Sequence, residues 1–336
     1  MIEKKVINVT RHIYEEQMKY PHATGDLSGL LADLTLACKI IHREVNKAGL
    51  VELLGLTGEI NVQGEAVKKL DDYAQQTLYR ALDHGGHLCA MASEEVADII
   101  PIPKQFRKGK YVILFDPLDG SSNIEANASI GTIFSIYRKV SKDGPDGTIE
   151  DFLQAGTEQV CAGYVIYGSS TVLVYSTGVG VHGFTLDPSV GEFLLSHPNI
   201  KIPESGYIYS VNEGNDLGWD DGTKRFIQQL KDPSAGPGRP YSARYIGSLV
   251  SDFHRTLLYG GIFLYPADKK NRRGKLRLNY EAKPVAFLAE RAGGMATDGK
   301  QRILDIAGED LHERVPLIVG SKDNVEEYLD FVQGRR

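Results

Sequence analysis

The sequence predicts a layered α/β protein built from two α/β units with mixed sheets. Two observations predict it: short apolar runs of strand length, and amphipathic helices that alternate with those runs in both halves of the chain. The chain has 336 residues, which is enough for two domains. We place their boundary at His197-Pro198-Asn199, so that the two units comprise residues 1–199 and 200–336.

The composition is that of an ordinary soluble protein, with 42% hydrophobic and 24% charged residues. No apolar run approaches the roughly 18 residues of a membrane span, and a net charge of −6 gives no reason to expect nucleic acid as a partner. Cys38, Cys89 and Cys161 are an odd, widely spaced set, which favours reduced thiols in a cytoplasmic protein. A mildly acidic chain binds polyanions through local positive charge or bound cations.

The first unit begins with helices and continues with strands. Apolar residues at helical spacing predict helices over residues 30–47 and 67–82, and each pattern ends at glycine. Apolar runs then predict the strands of one sheet, with a turn-rich loop at 142–147: 87–92, 111–115, 130–137, and a continuing sheet signal over 162–175 and 180–186.

The second unit repeats the alternation of strands and helices. Its predicted elements, in chain order, are a strand at 207–211, helices at 224–230 and 249–258, strands at 262–265 and 275–280, and a last helix. Pro284 fits the first turn of that last helix, and Gly293-Gly294 ends it.

Acidic residues follow three of the predicted strands. They are Glu94 and Glu95 after the first, Asp116 and Asp119 after the second, and Glu281 after the strand at 275–280. Ligand sites in open α/β sheets lie at the carboxyl ends of strands. Acids gathered there repel one another unless a cation neutralises them, and Mg²⁺ prefers such oxygen ligands. The alternative is that each acid is an ordinary exposed strand end, which is the commoner explanation for a lone Glu281.

The segment Asp116-Pro117-Leu118-Asp119-Gly120-Ser121-Ser122 carries the clearest chemical signal. Pro117 stops the strand and Gly120 permits a tight turn, so that both aspartates can face one point. The backbone N–H groups of Gly120, Ser121 and Ser122 can then bind a phosphate. A metal site beside a phosphate site predicts the hydrolysis of a phosphomonoester.

This segment, with Ser93-Glu94-Glu95 upstream, resembles the lithium-sensitive, metal-dependent phosphatase superfamily, and within it class I fructose-1,6-bisphosphatases of the bacterial type. Further matching stretches occur in the family's order between about Thr24 and Gly320: residues 61–65, 130–134, 212–214, 243–248, 259–266 and 274–278. The resemblance implies the sugar-phosphatase α/β sandwich fold.

The resemblance also implies roles for the acids. It implies Mg²⁺ as the cofactor, with Mn²⁺ or Zn²⁺ as alternatives, and Asp71 and Glu95 as the pair that activates water. Taken alone, Asp71 would be a solvated helix-surface acid beside two lysines. The implied metal ligands include Glu65, where vertebrate relatives carry Asp, and a main-chain carbonyl; the full set is Glu65, Glu94, Asp116, Leu118 (carbonyl), Asp119 and Glu281.

The implied reaction is hydrolysis of the 1-phosphate of D-fructose 1,6-bisphosphate to D-fructose 6-phosphate and inorganic phosphate, in gluconeogenesis. Residues 200–336 would be the substrate-binding domain, and residues 1–199 the allosteric domain that carries most metal ligands. Arg244 would reach the neighbouring subunit's pocket, which implies a homotetramer. The implied substrate contacts are Gly120, Ser121, Ser122, Asn212, Arg244, Tyr245, Tyr265, Lys275 and Arg277.

A second anion site is indicated before the first predicted helix, at Thr24-Gly25-Asp26-Leu27-Ser28. Small residues at a helix start leave backbone N–H groups open to an anion. Plain capping by Thr24 or Asp26 is the commoner use of such residues. The resemblance implies an AMP site and inhibition by AMP, with three further residues: Lys110, Tyr111 and Arg138.

Three alternatives stay open at this point. An inositol-monophosphate or nucleotide phosphatase of the same superfamily is disfavoured, since such enzymes lack the set formed by Arg244, Tyr245 and Lys275. Sedoheptulose 1,7-bisphosphate could serve as an additional substrate. A catalytically inactive sugar-phosphate sensor is the alternative from another functional class, and the retained acids argue against it.

Overall fold

The structure, a computed structural model, describes residues 6–19, 23–47, 56–60, 66–142 and 144–336. Glu65, one of the expected metal ligands, lies outside these residues. Within them the α-helices are α1 (Val9–Gln17), α2 (Asp26–Val45), α3 (Lys69–Leu82), α4 (Ile149–Phe152), α5 (Asp221–Lys231), α6 (Leu249–Tyr259), α7 (Lys283–Arg291) and α8 (Lys322–Val332).

The strands of the first half are β1 (Leu56–Ile60), β2 (Ala66–Lys68), β3 (Leu88–Ser93), β4 (Ile100–Pro101), β5 (Tyr111–Asp119), β6 (Ile130–Arg138), β7 (Gln159–Tyr167), β8 (Thr171–Ser176), β9 (His182–Asp187) and β10 (Glu192–His197). Those of the second half are β11 (Ile208–Ser210), β12 (Ser242–Ala243), β13 (Ile262–Tyr265), β14 (Leu276–Arg277), β15 (Met295–Thr297), β16 (Arg314–Val315) and β17 (Leu317–Gly320).

Two large sheets organise the chain, and both are mixed, as predicted. The first has eight strands in the order β10-β9-β8-β7-β6-β5-β3-β4, in which β3 and β5 run parallel and the other neighbours run antiparallel. The second has five strands in the order β12-β11-β13-β17-β15, parallel at the β12 side and antiparallel at the β15 side. Every strand of the first sheet precedes Asn199, and every strand of the second follows it.

The core consists of apolar layers between helices and sheets. Leu34 of α2 and Phe134 of β6 lie in one buried cluster, which joins α1, α2 and α3 to one face of the eight-stranded sheet. A second cluster includes Tyr164 of β7, Leu288 of α7 and Val319 of β17, so α6 and α7 fill the space between the two sheets. A third cluster joins α5 and α8 to the outer face of the five-stranded sheet. The predicted layered α/β architecture is therefore confirmed.

The structure differs from the sequence-based expectation in several elements. The helix expected at 30–47 already begins at Asp26, and the sheet signal at 162–175 is a hairpin that turns between Tyr167 and Thr171. The strand expected at 275–280 is wrong beyond its first residues, because a π-helical turn over Leu278–Ala282 follows β14. In this turn the apolar residues Leu278, Tyr280 and Ala282 alternate with Asn279 and Glu281, which imitates the residue pattern of a strand.

Among the described residues, no helix combines the length and the apolar character needed to cross a membrane.

Candidate active site

A cleft of about 670 Å³ opens where the carboxyl ends of β3 and β5 meet the start of α6. Both halves of the chain contribute to its walls. It brings together fourteen of the residues that the sequence analysis singled out: Glu94, Glu95, Asp116, Leu118, Asp119, Gly120, Ser121, Ser122, Asn212, Tyr245, Tyr265, Lys275, Arg277 and Glu281.

A β-bulge shapes the acidic wall of this cleft. Strand β5 does not stop at Pro117, as the sequence suggested, but continues to Asp119. Asp116 pairs with Ile133 and Asp119 with Gly131, so two residues of β5, Pro117 and Leu118, face a single residue of β6. Such a bulge redirects side chains locally, and here both aspartates reach the cleft.

Asp116, Asp119 and Glu281 form a compact carboxylate cluster. One oxygen from each lies within 4.8 Å of the others, and all three side chains are buried. Burial raises the pKa of Asp116 well above its usual range, and the neighbouring carboxylates raise it further. Burial raises the pKa of Glu281 in the same way. A buried group of acids that would otherwise repel one another fits a divalent cation with oxygen ligands.

Glu94 adjoins this cluster at the end of β3. Its carboxyl group interacts with that of Asp116, and its Oε1 lies 2.9 Å from Nη2 of Arg277. Burial raises the pKa of Glu94, although the Arg277 charge acts in the opposite direction. Arg277, which we expected to bind substrate, therefore lines the cleft but places its charge against an expected metal ligand.

Asp119 is held by the first turn of α6. Its Oδ2 accepts hydrogen bonds of 2.8 Å from Ser248 Oγ and from Val250 N, and its Oδ1 accepts a 3.3 Å bond from Leu249 N. These donors favour the charged carboxylate, but burial outweighs them and the pKa of Asp119 is raised. The sequence analysis missed this contact, for which the signal was Ser248 immediately before the predicted helix.

Gly120 lets the chain turn tightly after Asp119. Its φ of 75° lies in the left-handed region, and a Cβ atom there would come within 2.7 Å of the Ser248 side chain. A 3₁₀ turn, Ser121–Asn123, follows directly. Ser121 and Ser122 therefore line the cleft beside the carboxylate cluster.

The two residues expected to activate water lie near the end of β3. Glu95 is half-buried and lines the cleft. Asp71 is buried in the first turn of α3 and does not line the cleft. One helical turn further on, Gln75 accepts a 2.5 Å hydrogen bond from Ser93, which immediately precedes Glu94. The helix face that carries Asp71 thus packs against the strand end that carries both glutamates.

The expected substrate residues of the second half divide into two groups. Asn212, Tyr245, Tyr265 and Lys275 line the cleft. Arg244 does not; it is exposed, and its Nη1 donates a 2.8 Å hydrogen bond to the carbonyl of Ala243.

A second cavity, of about 500 Å³, contains every residue expected for the AMP site: Thr24, Gly25, Asp26, Leu27, Ser28, Lys110, Tyr111 and Arg138. Gly25, with a φ of 83°, precedes the first turn of α2. Lys110 Nζ lies 2.8 Å from Asp26 Oδ2 and donates a 2.6 Å bond to Thr24 Oγ1. This contact lowers the pKa of Asp26. The Arg138 guanidinium lies 5.5 Å from the centre of the Tyr111 ring.

The chain is similar to known proteins over nearly its whole length. The family models described as fructose-1-6-bisphosphatase N-terminal domain and C-terminal domain match residues 7–198 and 202–333. A fructose-1,6-bisphosphatase class 1 from Maridesulfovibrio salexigens is 61% identical over 323 residues, which are 95% of this chain and 96% of the relative. One from Chloroherpeton thalassium is 57% identical over 331 residues, 98% of this chain and 95% of the relative.

A solved structure is also similar over nearly the whole chain. The crystal structure of Leishmania major fructose-1,6-bisphosphatase in holo form matches with a TM-score of 0.91 and 42% identity, covering 98% of this chain and 99% of that one. Taken with the family models and the curated relatives, this similarity shows that the chain belongs to the fructose-1,6-bisphosphatase family.

Proposed function

We propose that this chain carries out the reaction of its family, the hydrolysis of fructose 1,6-bisphosphate, by the attack of an activated water on the 1-phosphate. The products are D-fructose 6-phosphate and inorganic phosphate. The observation that carries the proposal is the buried cluster of Asp116, Asp119 and Glu281 beside the turn that begins at Gly120. Buried carboxylates of this kind are costly to the fold unless they serve a cation.

The residues that would hold the cation are Asp116, Asp119, Glu281 and Glu94, with the carbonyl of Leu118. Mg²⁺ is the proposed ion, and Mn²⁺ or Zn²⁺ are alternatives. When bound, such an ion supplies charge to the phosphoryl oxygens and lowers the pKa of water. The backbone N–H groups of the Gly120 turn would bind the 1-phosphate next to this cluster.

The other residues of the cleft would orient the substrate and move protons. Glu95, which lines the cleft, would accept the proton of the attacking water, with Asp71 as its buried companion. Hydrogen bonds and charge from a further set would hold the sugar and the 6-phosphate: Asn212, Tyr245, Tyr265, Lys275 and, in part, Arg277.

We further propose that AMP binds the second cavity and inhibits the enzyme. Residues 1–199 would then be the allosteric domain and residues 200–336 the substrate-binding domain. The start of α2 offers backbone N–H groups to a phosphate, and Lys110 and Arg138 offer charge. The functional unit would be a homotetramer that acts in gluconeogenesis in the cytoplasm.

A phosphate-release assay tests the proposed function. The purified protein should hydrolyse fructose 1,6-bisphosphate with Mg²⁺, lose activity in chelator, and recover when Mg²⁺ is returned. Inositol monophosphate should be a poor substrate. The rate of phosphate release from sedoheptulose 1,7-bisphosphate, measured in the same assay, decides whether it is an additional substrate. Asp119→Ala should lose most turnover, whereas Asp221→Ala, an exposed aspartate at the start of α5, should not. Full activity in chelator would contradict the metal-assisted reaction.

A further inference from the structure

The peptide bond between Pro117 and Leu118, at the centre of the bulge, is fixed at both of its polar groups. The carbonyl of Pro117 accepts a 2.8 Å hydrogen bond from Thr132 Oγ1. The N–H of Leu118 donates a 3.0 Å hydrogen bond to Asp116 Oδ1. Because a peptide group is planar and rigid, the Thr132 hydroxyl and the Asp116 carboxylate are held at opposite edges of one plane.

The chain of hydrogen bonds continues into the core. Thr132 Oγ1 lies 2.9 Å from the Tyr167 hydroxyl. Since the Thr132 hydroxyl donates its hydrogen bond to the Pro117 carbonyl, it accepts a hydrogen bond from the Tyr167 hydroxyl. Both side chains are buried, with exposures of 0% for Thr132 and 4% for Tyr167. Hydrogen bonds in series strengthen one another in such surroundings, so Tyr167 stiffens the contact that Thr132 makes.

Thr132 occupies the one position from which this contact can be made. It is the residue of β6 that faces the two residues of the bulge, between the pairs Asp116–Ile133 and Asp119–Gly131. Proline has no N–H, so its carbonyl is the group through which β6 can hold this residue. Neither Thr132 nor Tyr167 lines the cleft, so the Thr132 hydroxyl acts on the site through its bond to the Pro117 carbonyl.

We infer that Thr132, supported by Tyr167, is a positioning residue for the carboxylate cluster. It fixes the peptide whose N–H binds Oδ1 of Asp116, and so limits the orientations that this carboxylate can take within the cluster with Asp119 and Glu281. The same plane sets the direction of the chain at Leu118, the residue expected to offer its carbonyl. This role rests on the proposed function, because it assumes that the cluster binds a divalent cation.

Metal affinity distinguishes this role from a purely structural one. A hydroxyl that merely satisfies a buried carbonyl contributes to stability and to nothing else. A hydroxyl that orients a ligand also changes the affinity for the ion, typically by about 10–100-fold when an outer partner is removed.

The experiment measures Mn²⁺ binding by isothermal titration calorimetry without substrate, together with thermal unfolding. Thr132→Val keeps the shape and removes the hydroxyl; we expect Mn²⁺ to bind about 10–100-fold more weakly. Thr132→Ser, which retains the hydroxyl, should bind nearly as the parent does, and Tyr167→Phe should fall between them. Thr297→Val is the matched control, since it removes a buried hydroxyl that donates to Gln301 O at 2.7 Å in the other sheet. It should lower stability only.

The outcomes separate this role from the proposed function. If the parent binds Mn²⁺ and Thr132→Val binds it equally well, the positioning role is overturned and the cation site stands. If the parent binds no Mn²⁺, the cation site fails, and the role fails with it. Should Thr132→Val not fold, Tyr167→Phe decides, and an unchanged affinity in that variant overturns the role.

Discussion

Glu281 illustrates how the acidic residues of the cleft oppose the stability of the fold. Burial and the Glu94 carboxylate raise its pKa well above its ordinary value, whereas in the unfolded chain a glutamate titrates near 4.3. Between these two values the folded state binds more protons than the unfolded state. The stability contributed by this group therefore falls as the pH rises through that window.

Glu281→Gln should accordingly stabilise the protein when no metal is bound. The amide keeps an acceptor for the 2.6 Å bond from Arg277 N and removes the repulsion. In chelator near pH 8, the variant should unfold a few degrees above the parent, and the difference should vanish toward about pH 4, where both states are protonated. Thermal unfolding in chelator and in excess Mg²⁺ measures this, with the exposed Glu309→Gln as the control.

Added Mg²⁺ should raise the unfolding temperature of the parent far more than that of Glu281→Gln, because ions that bind only the folded state stabilise it. A variant that is less stable than the parent in chelator at high pH would contradict the assignment of Glu281 to a mutually repelling cluster.

Glu95 allows a separate test of water activation. It lines the cleft but is not one of the three residues of the compact carboxylate cluster. Glu95→Gln should lower kcat by roughly 10²–10⁴-fold, the usual contribution of general-base catalysis, while KM and Mn²⁺ affinity change little. Steady-state kinetics and calorimetry on the same preparation measure both. Turnover that stays normal while the affinity for substrate falls would mean that Glu95 binds rather than activates.

At the scale of secondary-structure elements, the sequence predicted those strands that a local pattern of apolar residues determines. Strand β6 and the first five residues of β5 were predicted, because both faces of these strands are buried and the runs are mostly apolar. The last four residues of β5, which contain Pro117 and both aspartates, were not predicted as strand. Strand β10 was missed, since only one of its residues, Phe193, is buried and the run lacks a clear alternation. The acids at the ends of β3 and β5 could be grouped, because parallel strands end at the same edge of a sheet.

The environment of Glu281 could not be predicted, since distant residues determine it. The π-helical turn that carries it is fixed by Lys283, whose Nζ donates 2.8 Å bonds to Asn279 Oδ1 and to the carbonyl of Gln154. Gln154 belongs to the other half of the chain, so the residues around Glu281 contain no pattern that predicts this contact. The bulge at Pro117 is similar, because its geometry depends on Thr132 in the next strand.

Strand β5 links the cleft to the second cavity. Lys110 and Tyr111 line the second cavity at its start, and Asp116 and Asp119 line the cleft toward its end. The strand has nine residues, which at about 3.3 Å per residue places its two ends roughly 26 Å apart. A ligand at the start cannot touch the carboxylates. Inhibition from there requires two arrangements of the protein that differ in affinity for the ligand.

Lys110→Gln tests whether the second cavity is the AMP site. Lys110 pairs with Asp26, and without it the cavity would lose one positive charge and present the Asp26 carboxylate to the phosphate without its lysine partner. AMP should therefore inhibit the variant at least tenfold more weakly, since a charge-assisted bond contributes about 1.5–3 kcal/mol, while turnover without AMP stays near that of the parent. AMP titrations at fixed Mg²⁺ and substrate measure this, with the exposed Lys300→Gln as the control. If Lys110→Gln keeps full sensitivity, AMP binds elsewhere.

At the scale of the whole molecule, the cleft depends on the layer of helices between the two sheets. The N-terminus of α6 holds Asp119, while Val250 and Phe253 of the same helix lie in the core cluster shared by both sheets. The Gly120 turn packs against Ser248 at the start of that helix. A shift of one sheet against the other would therefore move α6 and the carboxylate cluster together, which gives a physical route from a distant ligand to the site.

The position of Arg244 bears on whether a single chain forms the complete 6-phosphate site. Its side chain is exposed and lies outside its own cleft, although its neighbour Tyr245 lines that cleft. We predict that Arg244 completes the 6-phosphate site of a neighbouring subunit. Arg244→Ala should raise KM more than it lowers kcat, because the 6-phosphate is remote from the bond that breaks. Kinetics at saturating Mg²⁺ measure this, with Arg225→Ala on α5 as the control, since Arg225 is also exposed and lies outside the cleft.

Subunit mixing tests the contribution across the interface directly. Chains with Arg244→Ala retain their carboxylates, and chains with Asp119→Ala retain Arg244. In mixed oligomers, some clefts combine intact carboxylates with an intact arginine from the neighbour. Activity at low substrate concentration should therefore exceed the sum of the two separate variants after they are dissociated and reassembled together. Mixtures that never exceed that sum, although sedimentation shows mixed oligomers, would place Arg244 outside the neighbour's site, and its effect on KM would then have to arise within a single chain.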